Sequence, residues 1–261
     1  MSEYLDTAIK AAKEAGALLA DRFGKHLEIE KKGEVNLVTD ADRDSEKLIK
    51  EFILSRHPEH SFKAEEGTKF DKNSRYLWLV DPLDGTTNYA HGFPVYCVSI
   101  ALIDSSKPIA ACIYNPNLDE CFTAEKDEGA FLNGHLIKPS HTARLDDALL
   151  ATGFPYDIRE SVENNLHEFA SFAIVARAIR RAGSAALDLA YTACGRFDGY
   201  WEFKLSPWDI AAGVLIVEEA GGKITNWSGQ KCEISKGEVL ASNGKIHEEM
   251  LGILRKIRSR K

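Results

Sequence analysis

The sequence predicts an α/β protein with two unlike halves, an α+β half over residues 1–145 and an α/β half over residues 146–261. Before residue 57, two stretches repeat apolar residues at helical spacing. Residues 77–132 then carry short apolar and β-branched runs separated by turn residues, the pattern of an antiparallel sheet. Beyond residue 145, strand and helix signals alternate, as in a sheet covered by helices.

In chain order, Leu5, Ile9, Ala12, Gly16, Leu19 and Phe23 recur at steps of four and three, which places them on one face of a helix over residues 2–23. Gly24 ends it. Residues 30–38 are polar, include Lys31, Lys32 and Gly33, and read as a loop or exposed hairpin. A second helix runs from about residue 40 to 56, with Leu48, Ile49, Phe52 and Ile53 inward and Pro58 beyond its end. Residues 77–80 form a buried strand that Asp81-Pro82 is expected to stop, because proline offers no ladder donor. Strands follow at 95–103 and 109–114 around a turn at 104–108, then at 121–124 and 130–132, with Asn133-Gly134 as the sharpest hairpin signal. The second half reads as a strand at 148–152, helices at 162–177 and 184–194, a strand at 199–203 and a helix at 206–220. Strands at 223–225 and 239–242 and a helix at 247–257 complete it. There is no internal repeat and no low-complexity segment.

Composition bounds the function. Among 261 residues, 44% are apolar and 28% charged, ordinary for a soluble enzyme with a sizeable core. The net charge of −7 gives no steering toward nucleic acid or anionic membrane, and it favours a metal at any site that receives a phosphate. The basic tail over residues 255–261 reads as a solvated end. The five cysteines are scattered, with no C-x-x-C pair, as expected of reduced thiols in a cytosolic protein. Glu3, Asp6, Lys10 and Lys13 stand where a signal peptide needs an apolar run, and no stretch approaches the roughly 18 apolar residues of a membrane span. The expectation is a soluble cytoplasmic protein.

Residues 78–88 concentrate the chemistry. Asp81 and Asp84 follow the strand, and no lysine or arginine occurs between residues 76 and 106 to neutralise them. Two carboxylates held about 4 Å apart repel by roughly 4 kcal/mol at an effective dielectric near 20. Relief comes from a proton, a distant basic side chain or a hard cation, and the cation is the reading adopted. Pro82 stiffens the turn, Leu83 can present its carbonyl, and Gly85 lets backbone approach a ligand. A helix starting near Gly85 would aim its free N–H groups, with the Thr86 and Thr87 hydroxyls, at the same place, which suits a phosphate. Other acids have blander readings. Asp42 lies three residues after Thr39, and Asp209 three after Ser206, both at capping-box spacing. Glu65-Glu66 follows a short apolar stretch and, taken alone, is a solvated loop. No P-loop, G-x-G-x-x-G turn or H-E-x-x-H occurs, and the eight histidines show no metal-ligand spacing, which argues against zinc.

Residues 78–89, from Trp78 to Tyr89, resemble the first signature of the inositol monophosphatase family, and residues 207–213 with 219–222 resemble its second. Residues 37–42, 64–67 and 180–190 match in order, so the likeness spans essentially the whole chain and is nearest to bacterial and archaeal members. The resemblance implies a layered α-β-α-β-α sandwich, of the type shared with fructose 1,6-bisphosphatase, and a lithium-sensitive homodimer. It implies two to three Mg²⁺ ions: the first on Glu65, Asp81, the Leu83 carbonyl and Thr86, the second on Asp81, Asp84 and Asp209. A third, weaker ion would sit by Glu65 near the loop of Lys31 and Gly33. Thr86 paired with Asp42 would help deprotonate the attacking water, and Gly85 and Thr86 would bind phosphate. Gly183, Ser184, Ala185 and Glu202 would contact the alcohol. The implied reaction is hydrolysis of inositol monophosphate by metal-activated water. Fructose 1,6-bisphosphate is the alternative substrate, with Arg180 and Arg181 as candidates for a second phosphate. A partner of the transcription machinery is the alternative of another class.

Overall fold

A computed structural model describes residues 1–25, 29–31 and 37–258 of the chain. Helix α1 (Glu3–Arg22) begins at Ser2, whose hydroxyl accepts the Leu5 N–H at 3.2 Å, and it buries the stripe Leu5, Ala8, Ala12, Ala15 and Leu19. Strands β1 (Ile29–Lys31) and β2 (Leu37–Thr39) pair antiparallel, so the polar stretch takes the hairpin alternative at its two ends. Gly33 lies outside the described residues, and Lys31 is described only as the last residue of β1. Helix α2 (Asp40–Arg56) packs beside α1 and is closed by a capping box between Thr39 and Asp42.

The large sheet follows. Its strands are β3 (Ser61–Ala64), β4 (Lys69–Phe70) and β5 (Tyr76–Asp84), then, after the short helix α3 (Thr86–Ala90), β6 (Cys97–Asp104), β7 (Lys107–Asn115), β8 (Glu120–Glu125), β9 (Gly129–Leu132) and β10 (His135–Leu136). They lie in the order β10-β9-β8-β7-β6-β5-β3-β4, antiparallel except for the β3–β5 pair. Strand β5 does not stop at Asp81-Pro82 as the sequence suggests. It runs on to Asp84 through an irregularity in which Asp81 faces Ser99 while Asp84 faces Cys97. Three steps on one strand oppose two on the other, a bulge, and Pro82 sits inside it, where no ladder donor is required. The period of two divides β5 between two cores: Trp78 and Val80 face α1 and α2, and Leu79 faces the opposite side.

The second half supplies β11 (Leu149–Thr152), α4 (Leu166–Ala173), β12 (Ala178–Arg180), α5 (Ala185–Ala193), β13 (Gly199–Glu202), α6 (Pro207–Glu219), β14 (Lys223–Thr225), β15 (Val239–Ser242) and α7 (His247–Arg258). The expected helix over 162–177 is only its middle, α4. Asn165 has φ +69°, which no α-helix tolerates, and its side-chain amide is committed to Gly153 O at 2.6 Å and Thr152 Oγ1 at 2.9 Å. At the other end, residues 174–177 form a turn that leads directly into β12, which pairs with β11. The small sheet has the order β12-β11-β13-β15-β14.

Helix α6 is buried all round, from Ile210 to Val217, because α5 and α6 lie between the two sheets. They touch Ala101 and Ile113 of the large sheet and Ala151, Tyr200 and Ala241 of the small one. The far face of the small sheet packs Leu150, Trp201 and Leu240 against Phe172 of α4 and Met250, Leu251 and Leu254 of α7. The layers are therefore α1/α2, large sheet, α5/α6, small sheet and α4/α7, the expected α-β-α-β-α sandwich. All five cysteines are free thiols. Among the described residues no helix is long and apolar enough to cross a membrane.

Candidate active site

A cleft of about 300 Å³ opens where the C-terminal end of β5, the N-termini of α5 and α6 and the end of β13 converge. Glu65, Asp81, Leu83, Asp84, Gly85, Thr86, Gly183, Ser184, Ala185, Glu202 and Asp209 all line it. Its size sits at the lower end of the range for small-molecule sites.

Each side chain arrives for a local reason. Glu65 follows β3, and the backbone of its loop is held by the buried Glu46 of α2, which accepts the Glu66 N–H at 2.8 Å and the Thr68 N–H at 3.1 Å. Asp81 Oδ1 accepts the Leu83 N–H at 3.0 Å across the bulge. Asp84 Oδ2 takes the Ser184 hydroxyl at 2.7 Å and the Ala186 N–H at 2.8 Å, which ties the β5 end to the start of α5. Gly85, at φ +95°, caps α3, and a Cβ there would lie 2.8 Å from the Val95 carbonyl, so the turn requires glycine. Asn88 Nδ2 donates to Val95 O at 2.7 Å and to Ala182 O at 2.8 Å, joining the first signature to the loop before α5.

Both capping aspartates also reach the site. Asp42 Oδ2 accepts the Thr39 N–H at 2.8 Å in the capping box, while its Oδ1 lies 3.0 Å from the Thr86 hydroxyl. Asp209 Oδ2 accepts the Ser206 N–H at 2.7 Å, and a carboxylate oxygen of Asp209 falls within 4.8 Å of oxygens from Glu65 and Asp81. Capping thus fixes both side chains: Asp209 borders the cleft, and Asp42, which does not line it, accepts from the hydroxyl of Thr86, which does.

The electrostatics are strained. Burial, and then the charges of Glu65, Asp84 and Asp209, push the Asp81 carboxyl well above the usual range. Asp209 is raised in the same way, by burial and then by Glu65 and Asp84. Burial also raises Asp84, against the lowering effect of its bonds from Ser184 and Ala186. Three hard carboxylate donors so close together match the donor set of a divalent cation such as Mg²⁺, whose charge would remove this repulsion. Asp84 lies outside that three-carboxylate group, although it borders the same cleft.

Several contributors escaped the sequence reading. Glu46 carries no motif. Gly153 makes room for Glu202, because a Cβ there would collide with the carboxylate oxygens. Tyr200 donates to Glu202 Oε2 at 2.7 Å, and burial lifts the Glu202 carboxyl to about 7. The histidine reading also needs correction, because His57, Glu59 and His60 place ligand atoms within 4.8 Å of one another. Yet Trp78 Nε1 donates to His60 Nδ1 at 3.1 Å. An indole N–H can only donate, so the His60 proton sits on Nε2, the atom facing Glu59. A metal there would have to displace that proton onto the atom facing the indole donor.

A model of the inositol monophosphatase family matches residues 1–259. A solved inositol monophosphatase from Anabaena (Nostoc) sp. PCC 7120 is 45% identical, with a TM-score of 0.89 over 97% of this chain and 95% of that one. A putative Nus factor SuhB of Neisseria meningitidis serogroup B is 38% identical over 97% of this chain and 98% of its own length. A solved IMPase/NADP phosphatase complexed with Mg²⁺ and phosphate is 26% identical, with a TM-score of 0.79 over 92% of this chain and 90% of that one. The chain belongs to the inositol monophosphatase family, whose members are metal-dependent phosphomonoesterases.

Proposed function

We propose that the protein hydrolyses inositol monophosphate to inositol and phosphate, with Mg²⁺ held by Glu65, Asp81, the Leu83 carbonyl, Asp84 and Asp209. The observation that carries this reading is the crowding of Glu65, Asp81 and Asp209 beside the donor-rich turn at residues 83–86. Bound there, Mg²⁺ would acidify a water and neutralise charge on the phosphoryl oxygens. The division near residue 145 belongs to the same reading, with most ligands from the first half and Asp209 and the alcohol contacts from the second. A third, more weakly bound ion near Glu65 and the Lys31–Gly33 segment completes the proposed metal set.

The chain's own groups do the positioning. Thr86 Oγ1 lies 3.0 Å from both Asp42 Oδ1 and Leu83 O, and its single proton can go to only one of them. With that proton on the Asp42 bond, the lone pairs of Thr86 are left to orient the attacking water, and Asp42 is the base behind it. Thr39 holds Asp42 in this pose through its N–H and its hydroxyl, at 2.8 and 2.5 Å. Glu65 is the third group assigned to water activation. Gly85 and Thr86 present backbone N–H groups to phosphate, and Gly183, Ser184, Ala185 and Glu202 meet the alcohol. No covalent phosphoenzyme is required.

Arg181 lines the cleft and favours a second reading, in which fructose 1,6-bisphosphate places its other phosphate there. Phosphate release from both substrates, with and without Mg²⁺, tests the assignment. The expected result is turnover that requires Mg²⁺, is inhibited by lithium and is faster on inositol 1-phosphate. Undiminished turnover in excess chelator would reject the metal reading, and faster release from the bisphosphate would reverse the substrate order.

A homodimer is part of the proposal, supported by the exposed Val162, Leu166 and Ile174 around α4. Light scattering should give twice the 29.0 kDa chain mass, and a monomer would reject it. A role beside the transcription machinery, the alternative of another class, would appear as a cellular function retained by an inactive variant. The net charge of −7 gives no support to direct nucleic-acid binding. Reduced thiols suit a cytoplasmic location.

A further inference from the structure

Beyond the groups assigned above, the cleft is lined by one more carboxylate, Asp188, one turn into α5 from Ser184. It is 1% exposed, and its Oδ1 is buried without a hydrogen-bond partner among the described residues. An unsatisfied buried acceptor is costly, and an apolar residue of similar size would be the cheaper way to fill a structural position. Glu202 differs, because it has the Tyr200 hydroxyl at 2.7 Å. Burial, and then the charges of Glu202 and Asp84, push the Asp188 carboxyl well above its usual range, and Arg181 at the exposed rim offsets only part of this. Asp188 therefore has the environment of an acceptor whose donor comes with a ligand.

We propose that Asp188 is a specificity residue which accepts a hydrogen bond from a second hydroxyl of the alcohol, beside the one met by Glu202, so that the cleft selects phosphate esters of polyols. A polyol satisfies Asp188 on binding. An alcohol without the second hydroxyl leaves it buried and unpaired, the situation in which polar sites discriminate most strongly. This inference rests on the phosphatase reading and deepens it.

The test compares kcat and KM for inositol 1-phosphate and p-nitrophenyl phosphate in the wild type, Asp188→Leu and Asp188→Asn, all with Mg²⁺. The kcat/KM ratio of polyol to aryl ester should fall about tenfold or more in Asp188→Leu, mainly through KM. It should fall less in Asp188→Asn, which keeps one acceptor. The asparagine variant preserves shape and keeps the test decisive if the leucine variant does not fold. An unchanged ratio, or equal losses on both esters, would overturn the inference while leaving the phosphatase reading intact. A wild type that releases phosphate from neither ester would overturn the phosphatase reading itself, and this inference with it.

Discussion

Asp81→Asn is expected to reduce phosphate release by about a thousandfold or more, the scale of losing a preorganised charge-stabilising group. The same change is expected to raise the melting temperature of the metal-free protein. Both effects follow from one placement. Asp81 is buried at the bulge of β5, with its Oδ1 on the Leu83 N–H at 3.0 Å. Asparagine has nearly the same shape and keeps a carbonyl oxygen for that bond. It removes a charge that burial and the neighbouring Glu65, Asp84 and Asp209 make unfavourable when no cation is bound. The native residue thus gives up stability for function, a common exchange at active sites. Phosphate release with Mg²⁺ and thermal unfolding in chelator check the pair. Retained turnover would sink the ligand assignment, and a lower metal-free melting temperature would show that the charge is already stabilised by the protein.

The layered fold was legible wherever one face of an element meets water. The stripe Leu5, Ala8 and Ala12 of α1 records an inside and an outside, whereas β5, buried on both faces, was legible as a short apolar run. The motif at 78–88 was legible because a bulge, a tight glycine turn and acidic side chains must coincide in sequence to coincide in space. Long-range partnership was not. Asp42 and Asp209 look like ordinary helix caps, and only the fold brings Asp42 to Thr86 and Asp209 to Glu65 and Asp81. Glu46 supports the Glu66 and Thr68 N–H groups across 20 and 22 residues, a relation no local pattern carries. The over-long helix at 162–177 failed for a different reason. Its apolar run over residues 172–176 includes Ile174, 85% exposed, so apolarity there does not report burial within this chain.

Mg²⁺ is expected to stabilise the protein, and by more as pH rises from about 5 to 8. In the metal-free fold Asp81, Asp84 and Asp209 are raised above their ordinary values, and Glu202 reaches about 7. Between the usual carboxylate range near 4 and these raised values, the folded chain holds protons that the unfolded chain has released. Metal-free stability contributed by these groups is therefore complete at low pH and is lost as pH rises through the folded values. Buried histidines act in the opposite direction. His247 is lowered to about 4 by burial, so the protonated unfolded chain is favoured in acid and stability from this residue grows up to about pH 6.5. That contribution is common to both forms, so the difference between Mg²⁺-loaded and metal-free melting temperatures isolates the carboxylates. At about a hundredfold excess over its dissociation constant, a ligand contributes about 2.7 kcal/mol, or roughly 5–10 °C for a chain of this size. At low pH the cation must compete with protons for Asp81 and Asp209, and the shift shrinks. In Asp81→Asn it should nearly vanish at every pH. A Mg²⁺ shift that is flat across this window, or that survives in Asp81→Asn, would place the cation away from these carboxylates.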